Sequence, residues 1–310
     1  REVANPDHLS EVPELAAGYD GVVIDCLAPL RVYAAGTLRQ RTAVLFHTAA
    51  EFFKPSPTVA PFLAVINSAV QSHGFAPITN LLDYPGIDQV IVATLPELDE
   101  YSQQADSRWH WVGPVQGPAP ARLDEALFET TDNRPLVLVG LTTHTGYGPQ
   151  TELLQRILDG LSELPVRVVA TTGPAVDRLA LHVPKNAIVR EYLPHRALMP
   201  QVAVCVTHAG HGTLTEALLQ GVPLVCLPHP RSDQLYLAQR VAALGAGVLI
   251  DRDQPPAAIR DAVQTVLSTA SFHDAANSLR ARIGEGGANR AAELLESMVS
   301  ANVAGAVGKA

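Results

Sequence analysis

No stretch of the sequence approaches the ~20 uninterrupted apolar residues that a membrane-spanning helix requires, and its start lacks the basic, apolar and small-residue succession of a secretory signal. The expectation is a cytosolic protein. Cysteine is scarce: Cys26, Cys205 and Cys226 are an odd number at irregular spacing, each inside an apolar stretch, which reads as reduced core thiols rather than a disulfide framework. Positive charge is short as well, with 22 Lys and Arg against 31 Asp and Glu and a formal net charge of -9. That balance assembles no broad basic face, so it argues against a general affinity for nucleic acid or an anionic membrane, and any anionic ligand has to be held by local geometry. Also missing are an HExxH helix, a P-loop and the third glycine of a dinucleotide fingerprint; Gly308-Lys309 has neither the Ser/Thr nor the strand a P-loop needs.

What is present suffices for two ordinary domains, since 47% of the 310 residues are hydrophobic. Short β-branched runs alternate with helical segments, the pattern of a parallel sheet covered on both faces, and the fold class is α/β. The predicted strands are Gly21 to Cys26, Thr42 to His47 and Gln89 to Thr94 in the first third, then runs opening at Pro135, Pro165, Ala187, Val202 and Val222. "VGPVQGPAPA", from Val112 to Ala121, breaks helix and ladder alike, which sets the boundary between domains 1–117 and 118–310. In "TELLQRILDGL" the residues Leu153, Leu154, Ile157, Leu158 and Leu161 form one helical stripe, read as plain packing. The tail "ANVAGAVGKA" is expected to fray.

The informative stretch is "VAVCVTHAGHGTLTEALLQGVP", where a strand ends near His208, glycines follow at Gly210 and Gly212, and a helix is expected from Thr213. Helix-terminal N–H groups lack internal partners and carry partial positive charge, and glycine lets an oxyanion come close, so this arrangement suits a phosphate. Thr213 and Glu216 also match a capping box, with Gly221 ending the helix. A cap explains Thr213 and Gly221 but not two further glycines and two histidines. A zinc reading of Cys205, His208 and His211 finds no fourth ligand, and Cys205 lies within an apolar strand.

From Tyr192 to Gln234, "YLPHRALMPQVAVCVTHAGHGTLTEALLQGVPLVCLPHPRSDQ" resembles the nucleotide-sugar signature of the metal-independent, inverting GT-B glycosyltransferases, in particular the actinobacterial macrolide and antibiotic type. "VGPV" at the linker and "RPLVLVGLTT" beyond it extend the likeness over nearly the whole chain. The resemblance implies two Rossmann-like domains facing a cleft: an acceptor domain at 1–117, its opening part apparently missing, and a donor domain at 118–310 whose terminal helix returns to the first. Carried onto this sequence, it implies that Tyr192 stacks on a pyrimidine, with Leu193 and His195 near the base, and that His208, Gly210, Gly212 and Thr213 hold the diphosphate. Glu216 takes the ribose hydroxyls, Asp233 and Gln234 read the sugar, and Thr143 stands near the phosphate. Packing alone is the competing reading for Tyr192. Ala209 departs from the family, standing where a glycine is common, so this turn is less permissive.

Inverting transfer needs a base, and a histidine held by a carboxylate suits it. The resemblance makes Asp25, in "VVIDC", that carboxylate, and places the histidine on an earlier strand that this chain does not contain; His8 does not fit the register. His47 and Phe46, with Phe52 and Phe53 nearby, are candidates for the acceptor side. The expected activity moves a (deoxy)sugar from a dTDP- or UDP-sugar to a hydroxyl of a hydrophobic natural product. It requires no cofactor and no metal, and involves neither nucleic acid nor membrane; homodimerisation stays open. The alternatives are a non-catalytic nucleotide-sugar-binding partner and an epimerase or hydrolase on the same fold.

Overall fold

The computed structural model describes residues 7–117, 132–141, 150–230, 232–283 and 286–307, the side chains at 8 and 301–307 excepted. The chain divides into two compact units, one of residues 1–116 with 285–310 and the other of residues 117–284.

In the first unit the elements run α1 (Asp7–Ala16), β1 (Gly21–Asp25), α2 (Pro29–Ala35), β2 (Arg41–Phe46), α3 (Ala60–Ser72), β3 (Gln89–Val92) and β4 (Trp109–Trp111). The four strands are parallel and pair in chain order, β1-β2-β3-β4. The β-branched strands are buried by helices, and the core gathers Leu30, Val44, Phe46, Ile66, Val90 and Trp109. Phe46, expected at an acceptor pocket, has no exposed surface; its ring packs on Phe53 at 5.4 Å and Trp109 at 5.5 Å and belongs to the core. Strand alternation explains this, because Phe46 takes the inward position and leaves the next residue, His47, to solvent. The carboxylate of buried Asp99 accepts from the amides of Ala50 and Glu51 and from the Trp111 indole, each at 2.9 Å. It thereby pins the single 3₁₀ turn Ala50–Phe53 that follows His47.

The second unit contains β5 (Leu136–Gly140), α4 (Thr151–Leu161), β6 (Arg167–Thr171), β7 (Ala187–Arg190), α5 (His195–Leu198), β8 (Val202–Thr207), α6 (His211–Leu219), β9 (Leu224–Cys226), α7 (Asp233–Ala243), β10 (Gly247–Leu249), α8 (Pro256–Ser268) and α9 (Ala270–Ile283). Among the described residues its six strands are all parallel, in the order β10-β9-β8-β5-β6-β7. From β5 the chain adds strands to one side and then crosses to build β8, β9 and β10 on the other. The reversal between β5 and β8 is the topological switch point at which doubly wound sheets open a ligand crevice. The leucine stripe of α4 is fully inside, with Leu154, Ile157, Leu158 and Leu161 at zero exposure, and each such side chain contributes roughly 2 kcal/mol of burial.

The last helix, α10 (Gly287–Val307), belongs to the first unit, where the Arg290 guanidinium donates to the Val112 carbonyl at 2.9 Å. The tail expected to fray is therefore helical to Val307, in keeping with its many alanines. The three cysteines are buried and none of them is in a disulfide.

Candidate functional site

Parallel register aligns one row across the second sheet, Cys226, Thr207, Gly140, Thr171 and Arg190, as the last residues of five strands. The residues that follow each strand form the carboxyl edge. There a cavity of about 770 Å³ opens, lined among others by Thr171, Tyr192, Leu193, His195, His208, Gly210, Gly212, Thr213 and Glu216. Eight of the expected site residues thus share one wall. Thr143 lies outside the described residues.

The turn that makes the wall is built by Ala209, the only non-glycine residue with a positive φ among the described residues, at 62°. An L-residue there costs about 1–2 kcal/mol. The turn is completed before Gly210, so α6 starts at His211 and not at Thr213. Thr213 is the third residue of the helix rather than its cap, and the N-cap is Gly210, which has no side chain to cap with. The expected capping box with Thr213 as N-cap does not form, and the first-turn residues His211, Gly212 and Thr213 line the cavity.

His208 is mostly buried beside this terminus. A Cβ on Gly210 would lie 2.3 Å from its Nε2, so the imidazole rests directly on the glycine backbone. Its Nδ1 is 3.4 Å from the Gly140 carbonyl, which only accepts, so Nδ1 carries the proton of the neutral ring. Burial pulls His208 down to about 4, leaving it neutral at pH 7 with its Nε2 lone pair exposed to a ligand. Gly140 serves a second imidazole as well: a Cβ there would come within 2.6 Å of His195 Cε1. The His195 Nε2 is 2.8 Å from Thr171 Oγ1, and burial lowers its pKa. Tyr192 is 76% exposed at the rim, which disposes of the buried-aromatic reading. Gly140, Thr171 and Arg196 escaped the sequence reading, although a glycine closing an apolar strand is a sign of close approach.

Asp233 and Gln234 open α7 beyond β9 and are not among the residues lining the cavity. Ser232 caps that helix, and the Gln234 carbonyl oxygen accepts from the His229 amide at 3.0 Å. Gln234 is buried, with its acceptor committed to the protein. Cys205 is fully buried and its thiol is pushed up to about 12, so it offers no thiolate to a metal at His208 and His211.

In the first unit Asp25 and His47 meet at the carboxyl ends of neighbouring strands. His47 Nε2 stands 3.5 Å from Asp25 Oδ1, with the side chains 48% and 52% exposed. The same oxygen accepts from the Leu27 amide at 2.7 Å, which fixes the carboxylate.

Residues 155–293 match the family described as Erythromycin biosynthesis protein CIII-like, C-terminal domain. Over 170 residues the chain is 34% identical to an aklavinone 7-beta-L-rhodosaminyltransferase of Streptomyces galilaeus, an alignment covering 54% of this chain and 38% of that relative. The chain spans about half or less of the length of the curated relatives it matches. Among solved structures, the glycotransferase of kitacinnamycin superposes with a TM-score of 0.77 at 23% identity, over 96% of this chain and 83% of that one. The glycosyltransferase VinC in complex with dTDP gives a TM-score of 0.70 at 20% identity, over 95% and 75% of the two chains. The fold is that of the GT-B glycosyltransferases of antibiotic biosynthesis.

Proposed function

We propose that this chain, built on the antibiotic-type GT-B fold, is a glycosyltransferase that takes a dTDP- or UDP-sugar in the cavity of its second unit and passes the sugar to a hydroxyl of a hydrophobic acceptor with inversion. The observation that carries this reading is the cavity at the β5/β8 switch point, where the start of α6, two glycines and a half-buried imidazole converge. A structural neighbour bearing dTDP adds support for a thymidine nucleotide.

The chemistry follows from the donors. The first-turn amides of α6 supply partial positive charge to a diphosphate in a water-poor pocket, where it is worth more than in bulk. His208 adds a donor once Nε2 carries a proton. Holding the diphosphate also stabilises it as the leaving group while the acceptor oxygen bonds to the anomeric carbon and the carbon–oxygen bond to phosphate breaks. Exposed Tyr192 offers a face for a pyrimidine, and Glu216 offers acceptors for the ribose. In this reading Asp25 orients the histidine that takes the acceptor proton, and no metal takes part. Asp233 is the group assigned to the sugar hydroxyls.

Titration calorimetry with dTDP and UDP tests the donor site. Binding is expected to tighten as pH falls from 8 to 6, because the diphosphate draws a proton onto His208. His208→Ala is expected to weaken affinity by about 10- to 100-fold. Equal affinity in the variant, with no proton uptake in the native chain, rejects the assignment.

A further inference from the structure

The first unit holds a cluster in which the proposed transfer reaction accounts for Asp25 but not for the cysteine and histidine gathered beside it. Asp25 ends β1, Cys26 follows it, and His47 follows β2, and one ligand atom from each of the three lies within 4.8 Å of the others. The register of the parallel pair brings them together: Asp25 sits opposite Leu45, and the Cys26 amide donates to the Leu45 carbonyl at 3.0 Å. Cys26 comes up from the edge of the core at 5% exposure, whereas Asp25 and His47 stand half in solvent.

The His47–Asp25 spacing is that of co-ligands, and the Cys26 sulfur lies within 4.8 Å of both. The 3.5 Å between His47 Nε2 and Asp25 Oδ1 exceeds the roughly 2.7–3.2 Å of an N–H···O hydrogen bond. Two ligands at about 2.0–2.1 Å from a tetrahedral zinc ion stand about 3.3 Å apart, and a thiolate at about 2.3 Å stands slightly farther from each. The Leu27 amide occupies one lone pair of Asp25 Oδ1 and holds the carboxylate in place, leaving its other lone pairs available. Imidazole, thiolate and one carboxylate form a borderline-soft donor set that suits Zn²⁺ and disfavours Mg²⁺ or Ca²⁺.

We propose that Asp25, Cys26 and His47 form a binding site for a zinc ion, with a water completing the coordination on the exposed side. Binding replaces the Cys26 S–H bond with an S–Zn bond and releases that proton to solvent, so affinity falls as pH drops. The ion ties the ends of β1 and β2 together. It also occupies the Asp25 carboxylate, so that it inhibits transfer reversibly; this last consequence rests on the role proposed for Asp25, whereas the site itself does not.

Cobalt(II) reports on the site through its thiolate-to-cobalt charge-transfer absorption, which no histidine or carboxylate produces. The full chain, freed of metal with chelator, is titrated with Co²⁺ and back-titrated with Zn²⁺. One equivalent is expected to produce the band, zinc to abolish it, and excess Mg²⁺ to leave it. Cys26→Ser is expected to remove the band, and a Cys205→Ser, Cys226→Ser double variant to keep it. His47→Gln, at a half-exposed position that does not endanger folding, is expected to weaken binding at least tenfold. Absence of the band at stoichiometric Co²⁺, its survival in Cys26→Ser, or unchanged affinity in His47→Gln overturns the proposal, and none of these results bears on nucleotide binding.

Discussion

Both units end a parallel strand in a histidine, His47 after β2 and His208 after β8, and the two histidines meet very different surroundings. After β2 the chain passes into a 3₁₀ turn pinned by Asp99, and the ring stands half in solvent beside a carboxylate. After β8 a left-handed turn at Ala209 feeds directly into α6, and the ring lies on Gly210 with Gly140 as its hydrogen-bond acceptor. Sheet topology sets the contrast. The described strands of the first unit run in chain order without reversal, whereas the second unit reverses between β5 and β8 and opens its crevice there. A strand-end histidine takes its chemistry from what the next few residues do, more than from its own identity.

The largest test of this contrast is the glycine bed, which only His208 has. Gly210→Ala places a methyl 2.3 Å from Nε2, so the ring must move, and dTDP affinity in calorimetry is expected to fall about 100-fold. Gly212→Ala meets no atom within 4 Å. Its unfolding midpoint in urea is therefore expected to hold while dTDP binding still weakens, about tenfold, because the methyl enters the space proposed for the phosphate. If both variants bound dTDP as the native chain does, the two histidines would no longer differ in function.

A smaller effect separates the units by pH. Burial holds His208 near 4 against its ordinary value of 6.5, so the unfolded chain takes up that proton first. The stability contributed by the neutral ring is fully present above 6.5 and drains away as pH falls toward 4. Between pH 7.5 and 4.5 the native chain should lose about 2 kcal/mol more than His208→Gln, read from paired urea unfolding curves. Parallel losses would mean that the ring is not desolvated. The smallest effect concerns the turn: Ala209→Gly relieves a φ of 62° and should raise stability by about 1 kcal/mol, measured in the same curves at pH 7.5.

The helix α4 was legible to the residue, because five apolar side chains at helical spacing leave one way to be buried. β4 and β10 were not, since three-residue strands such as Trp109–Trp111 and Gly247–Leu249 show no period of their own. The start of α6 is two residues earlier than expected because Thr213 and Glu216 imitate a capping box, whereas the chain turns at Ala209 and enters the helix directly after Gly210.

Local spacing was enough to specify the parallel α/β elements and the glycine–histidine turn that follows β8, because each is written within a few residues. Bringing Thr171, Tyr192 and His208 to one cavity, or Asp25 and Cys26 to His47 across the 20 residues between Cys26 and His47, required strand order and register. Those depend on which apolar faces pack together over the whole unit, a long-range choice that no short window of residues contains.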